Sequence, residues 1–201
     1  MRIPEYLGKI KPGEAVLIDY TARSQAPLVF RAVLETFGVD GTLVIDIADI
    51  GVTFKKFIEL AGSWNGGFSK VKVIKLGGRI KWGTPLGHYD IYTDPRIFVK
   101  KIGGLVENVA PREKVIVTLG TERIPIIHSG SRRVTLHLVE CASAKLGDPS
   151  LIVLYFINGD VAEREFIGMM RDVATRVIRA DEEGIKVIKA PTVEELGTLE
   201  P

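Results

Sequence analysis

The chain has 201 residues, 46% of them hydrophobic and 26% charged, which supports one substantial core and excludes a disordered or low-complexity protein. Its 27 basic and 25 acidic residues leave a net charge of +2 and are spread along the sequence, so no cationic stripe marks a nucleic-acid or membrane-surface protein. A single cysteine, Cys141, excludes a disulfide framework and a multi-cysteine metal site; with no apolar signal region at Met1–Tyr6 and no apolar run long enough to span a bilayer, the expectation is a reducing cytoplasm and no membrane.

In chain order, residues 14–22 read as a buried first strand and 26–37 as the first helix, so Tyr20 to Ala26 fill a strand-to-helix turn. A second strand at 42–48 and a helix at 52–62 follow, then the glycine-rich Ser63–Gly67 and a strand at 70–76. Gly77–Gly87 is a second glycine-rich connection, read as a mobile loop ahead of Tyr89-Asp-Ile-Tyr92. Helix 94–109, strand 113–119, helix 131–146 and strand 151–158 continue the alternation, and a short helix at 161–171 closes it. Residues 174–179 and 185–189, joined by Ala180–Gly184, form a hairpin. The acidic, turn-rich tail 191–201 is set apart from a domain spanning 1–190, as a segment either frayed or docked on a partner. The only glutamine is Gln25 and the only asparagines are Asn65, Asn108 and Asn158, a scarcity of thermolabile amides that points to a thermophile.

Alternating strands and helices, with strands apolar on both faces, predict a three-layer α/β fold built on a mostly parallel sheet. The first strand, turn and helix form the frame of a nucleotide-binding unit, but a phosphate-binding turn needs glycines whose N–H groups close on the phosphates, then a Lys and a Ser/Thr. Tyr20-Thr-Ala-Arg-Ser-Gln-Ala26 has no glycine and no lysine.

The opening Tyr6-Leu-Gly-Lys-Ile-Lys-Pro-Gly-Glu-Ala-Val-Leu-Ile18 resembles the start of RecA/RadA/KaiC-type ATPase domains. Leu43–Ile47 is similar to their second strand, Lys114–Thr118 to the Walker B strand, Leu151–Phe156 to the strand after it, and the hairpin at 174–189 to their final strand and basic return strand. The resemblance implies a sheet of order 5-1-4-3-2 ending in an antiparallel hairpin, and fits best a small family of uncharacterised RecA/KaiC-like proteins from hyperthermophilic archaea. It also shows what is missing: the Walker A lysine position falls at Gln25 or Ala26, the Walker B strand ends Val117-Thr118-Leu119-Gly120 with Glu122 as the first acid beyond it, and a catalytic acid after strand two would fall near Asp46 or Asp49.

Thr21, Arg23, Ser24 and Gln25, at a helix amino end, read either as a residual anion or nucleotide pocket with Arg23 replacing the lost lysine, or as a helix cap formed by Ser24. With Tyr20, Asp46, Thr118 and Glu122 they make up the candidate ligand site. His137, Glu140 and Cys141 share a helix face at ligand spacing, but apolar neighbours favour a half-buried helix and no metal is expected. His128-Ser129-Gly130-Ser131 reads as a helix start rather than a nucleophile loop. Trp64, Trp82, Tyr89 and Tyr92 among Lys70, Lys72, Arg79 and Lys81 contain the ingredients of single-strand nucleic-acid binding, a reading less favoured than an ordinary loop over a sheet edge. The sequence therefore favours an inactive RecA/KaiC-like domain that binds or assembles, without cofactor, as a homo-oligomer and by preference a dimer. Trp82, Tyr89, Tyr92 and Lys186 are its expected interface residues, and the apolar strand 185–189 is an edge in need of cover.

Overall fold

In a computed structural model, residues 1–62, 64, 67–98, 100, 101, 104 and 114–201 are described. Their strands are β1 (Ala15–Tyr20), β2 (Thr42–Ile47), β3 (Lys72–Leu76), β4 (Thr84–Tyr89), β5 (Val115–Leu119), β6 (Ile152–Asn158), β7 (Arg176–Asp181), β8 (Gly184–Lys189) and β9 (Gly197–Leu199). They form one sheet in the order β4-β3-β2-β5-β6-β1-β7-β8-β9, antiparallel only where β8 joins β7 and β9 joins β8. The helices are α1 (Ile3–Leu7), α2 (Ala26–Phe37), α3 (Ile50–Leu60), α4 (Arg123–Ile127), α5 (Arg132–Ser143) and α6 (Arg164–Val173). Residues 95–98 are also helical, as expected for 94–109, much of which lies outside the described residues.

Each central strand is buried on both faces because its alternate residues feed two cores. Val16, Ile18 and Tyr20 of β1 pack with α1, α2 and α3, whereas Ala15 and Leu17 pack with α4, α5 and α6. Taken in chain order, the five strands carrying the resemblance are β1, β2, β5, β6 and β7, and their observed sequence across the sheet, β7-β1-β6-β5-β2, is the expected 5-1-4-3-2. The run at 70–76 is not one of those five and extends the sheet outside β2 as β3.

Two expectations need correction. The connection 77–92 is not a loop throughout, since Thr84–Tyr89 forms β4, parallel to β3. Parallel neighbours usually require a crossover of a dozen or more residues. Here Gly77 and Gly78, at φ 67° and 74°, reverse the chain, and residues 79–83 return as a strap along the sheet with Trp82 inserted into the core. Nor is the tail a separate segment. Leu199 is buried, β9 pairs with β8, Glu195 ion-pairs with the buried Arg176, and the Ile3 N–H donates to the Glu200 carbonyl at 2.8 Å. The tail's apolar residue covers Ile185 and its acid answers a buried guanidinium, so the segment docks on its own chain.

Candidate functional site

Ligands of open α/β sheets bind outside the carboxyl ends of the strands. At the end of β1 the turn into α2 is closed on itself. Thr21 N–H donates to the Ala180 carbonyl at 3.0 Å, the Ser24 hydroxyl donates to the Thr21 carbonyl at 2.8 Å, and Ala26 N–H donates to Ser24 Oγ at 3.3 Å. Ser24 thus satisfies the N–H of the first helical residue, but the cap position falls at Gln25, whose side chain makes no capping bond. The Ala22 N–H donates at 2.9 Å to Asp160 Oδ2, whose own N–H is fixed by Asn158 Oδ1 at 3.0 Å. A carboxylate of the chain therefore occupies an N–H group of this turn. Tyr20 is buried edge-on against Phe54, with ring centroids 5.6 Å apart. Arg23 and Gln25 are exposed, and the Thr21 hydroxyl is buried without a hydrogen-bond partner among the described residues.

Asp46 does not join this turn. It lies on β2, three strands from β1 and so roughly 14 Å away at the usual strand spacing. It is fully buried: Oδ1 accepts the Gly51 N–H at 2.8 Å, and Oδ2 accepts Lys75 Nζ and Trp82 Nε1, each at 2.7 Å. Lys75 also pairs with Asp49, whose carboxylate accepts the Arg79 and Ile80 N–H groups of the strap at 2.8 and 3.2 Å. Burial works to raise the Asp49 carboxyl, but Lys75 and the two N–H groups outweigh it and hold it below the usual carboxylate range. Ala48 and Asp49 are left-handed, at φ 51° and 64°, and Gly78 must lack a side chain because a Cβ there would lie 2.4 Å from Asp49 Oδ1. The strap is thus bolted to the ends of β2 and β3 by an Asp–Lys–Asp triad.

Glu122, just past β5, is 1% exposed, and neither carboxylate oxygen finds a hydrogen-bond partner among the described residues. Burial pushes it up to about 7; its own N–H, Arg123 and the Asn158 N–H favour the charged form too weakly to offset that. Tyr20 is raised above its usual range by burial and by the Glu122 charge. Thr118 points to the other face of the sheet, where its Oγ1 accepts the Thr121 hydroxyl at 3.1 Å.

Among the other candidates, His137 Nε2 lies 3.3 Å from Cys141 Sγ and His137 Nδ1 3.6 Å from Glu140, but no group of three metal-binding side chains occurs among the described residues. Ser131 precedes α5 without a side-chain cap, and Ser129 is left-handed at φ 55°. Trp82, expected at an interface or as a stacking face, is 7% exposed and packs edge-on against Phe30 and Phe68, so it serves neither purpose. Tyr92 is 70% exposed, Tyr89 is half-buried, and Lys186 is engaged with Glu183 at 2.7 Å. Lys75 and Asp160 escaped notice in the sequence. A lysine within the apolar run Val73-Ile-Lys-Leu76 is the signal that could have found the first, since a buried ammonium requires a carboxylate.

Residues 5–199 match the family described as "Pyrococcus protein of unknown function, DUF257". The chain belongs to this family. No curated protein matches it. Among solved structures it is similar to the Pyrococcus horikoshii OT3 protein PH0250, at 22% identity and TM-score 0.79 over 100% of this chain and 98% of that one. It is also similar to the KaiC-like protein PH0186 of the same organism, at 13% identity and TM-score 0.56 over 93% and 83% of the two chains. The fold is therefore RecA/KaiC-like, and no described helix is long and apolar enough to cross a membrane.

Proposed function

We propose that this chain is a RecA/KaiC-like domain that has lost the Walker A and Walker B chemistry and works in the cytoplasm as a binding and assembly module. The observation that carries this reading is the Asp160 carboxylate on the Ala22 N–H. A fixed negative charge on the turn's N–H group repels an incoming phosphate, and Ser24 ties up the neighbouring backbone. Asp46 is committed to Lys75 and Trp82 and has no oxygen to spare for a water or metal. A ligand present at a hundred times its dissociation constant stabilises a protein by about 2.7 kcal/mol. We expect Mg-ATP at millimolar concentration to leave the thermal midpoint unchanged; saturable micromolar binding that Arg23→Ala abolishes would overturn the reading.

The assembly half is redirected by the fold. β9 covers part of β8, which leaves β4 as the longer edge without a neighbouring strand among the described residues; it carries Leu86 at 47% exposure and is followed by Tyr92 at 70%. Two copies meeting along β4, with Tyr89 and Tyr92 at the seam, form the preferred dimer. Light scattering behind a sizing column should return twice the chain mass, falling to a monomer for Leu86→Lys combined with Tyr92→Ser. A monomeric wild type at the highest concentration leaves only partner binding.

A further inference from the structure

On the face of the sheet away from α2 and α3, a cavity of about 70 Å³ lies between β2, β5, β6 and α5. Ile45, Ile47, Ile116, Val153 and Leu138 form most of its wall. Its polar lining is confined to Thr118, Thr121, Cys141, Lys145 and Tyr155. The two threonine hydroxyls satisfy each other. Lys145 is half-buried, and its ammonium makes no hydrogen bond or salt bridge with the described residues. Burial, with the Cys141 thiol nearby, raises the Tyr155 hydroxyl, so it remains a donor at any ordinary pH.

We infer that this cavity is a binding site for a short-chain carboxylate, with the branched hydrocarbon among Ile45, Ile116 and Leu138 and the carboxylate facing Lys145. Three observations support this assignment. Apolar atoms that pack against this isoleucine and leucine wall leave water, which favours a hydrocarbon occupant. A void of 150 Å³ accepts the six carbons of benzene, so one of about 70 Å³ suits a group of about three carbons. A half-buried ammonium that makes no ion pair among the described residues, and only a longer-range attraction with the Asp148 carboxylate, which Ser150 holds, selects an anion over an amine, and an aliphatic wall with few converging polar groups is the usual form of a small-molecule site. Nothing at this cavity touches the turn after β1, so the site stands or falls independently of the nucleotide-free reading.

The probe is 2-methylpropanoate, with 2-methylpropan-1-ol as its uncharged counterpart, titrated into the full chain carrying labelled isoleucine methyls. The acid is expected to shift the Ile45, Ile47 and Ile116 methyls saturably and to bind more tightly than the alcohol. Lys145→Gln should weaken the acid about tenfold, the scale of one charge-assisted hydrogen bond, and leave the alcohol unchanged. Cys141→Met should fill the chamber and suppress both ligands. If that variant does not fold, as its methyl spectrum would reveal, Leu138→Phe fills the chamber from the helix side. No saturable shift, equal affinity for acid and alcohol, or binding indifferent to both the lysine and the filling variants would overturn the assignment.

Discussion

Glu122 is the side chain whose energetics depart furthest from those of a solvated residue. Its carboxyl is raised from 4.5 to about 7, so the folded protein keeps a proton that the unfolded chain has already released. The contribution of Glu122 to stability is therefore greatest below about pH 4.5, declines as pH rises towards 7, and is level beyond, with a total cost of about 3 kcal/mol. Glu122→Gln, which mimics the protonated form, should remove this slope. Denaturant unfolding of both proteins at pH 4.5 and pH 8 checks it, and parallel profiles would refute it. Asp46 is the contrasting case, because its buried carboxylate is fully partnered. Lys75→Met leaves its charge buried with only Trp82 and Gly51 as donors, and should cost about 3 to 5 kcal/mol. Asp46→Asn keeps an acceptor for the indole and should cost less, a ranking that unfolding midpoints would display.

Secondary structure was legible in the sequence where burial is two-sided. The β1, β2, β5, β6 and β7 segments are runs of branched apolar residues that sit between two helical layers, and their apolarity announces them. β4 escaped because Thr84-Pro-Leu-Gly-His-Tyr89 lies on an edge, mostly exposed, with a proline and a glycine that argue against a strand. α4 is a five-residue helix and β9 a three-residue strand, each too short to show a period. The site was half legible for the same reason: Asp46 within an apolar strand and Glu122 just after one stand out, but their surroundings come from Lys75, the strap and β6, which spacing cannot join to them. The tail offers the sharpest test at this scale. Removing residues 191–201 strips Leu199 from Ile185 and Glu195 from Arg176, and uncovers the β8 edge. The truncated protein should melt lower and associate increasingly with concentration, whereas Glu195→Gln should lower the midpoint and remain as dispersed as wild type.

Across the whole molecule, the central strand is assembled from the ends of the chain. β1 pairs Ala15 with Val153 on one side and Val16 with Arg176 on the other, so its hydrogen bonds wait for partners well over a hundred residues away. Long-range parallel pairing is slow because loop closure must precede the contacts that reward it. Pulsed hydrogen exchange during refolding should show the β1 amides gaining protection in the same phase as those of β7, and later than those of the local helices α2 and α3. Protection of β1 ahead of β6 and β7 would contradict the topology.

The strap that carries Trp82 also gives the molecule its own optical probe. There are only two tryptophans, and Trp82 has its indole in the core with its N–H on the Asp46 carboxylate. An indole in that setting should emit at short wavelength and resist a soluble quencher, and both properties vanish if residues 79–83 lift away, even with the sheet intact. Emission can therefore report detachment of the strap separately from far-ultraviolet dichroism, which reports the strands and helices beneath it.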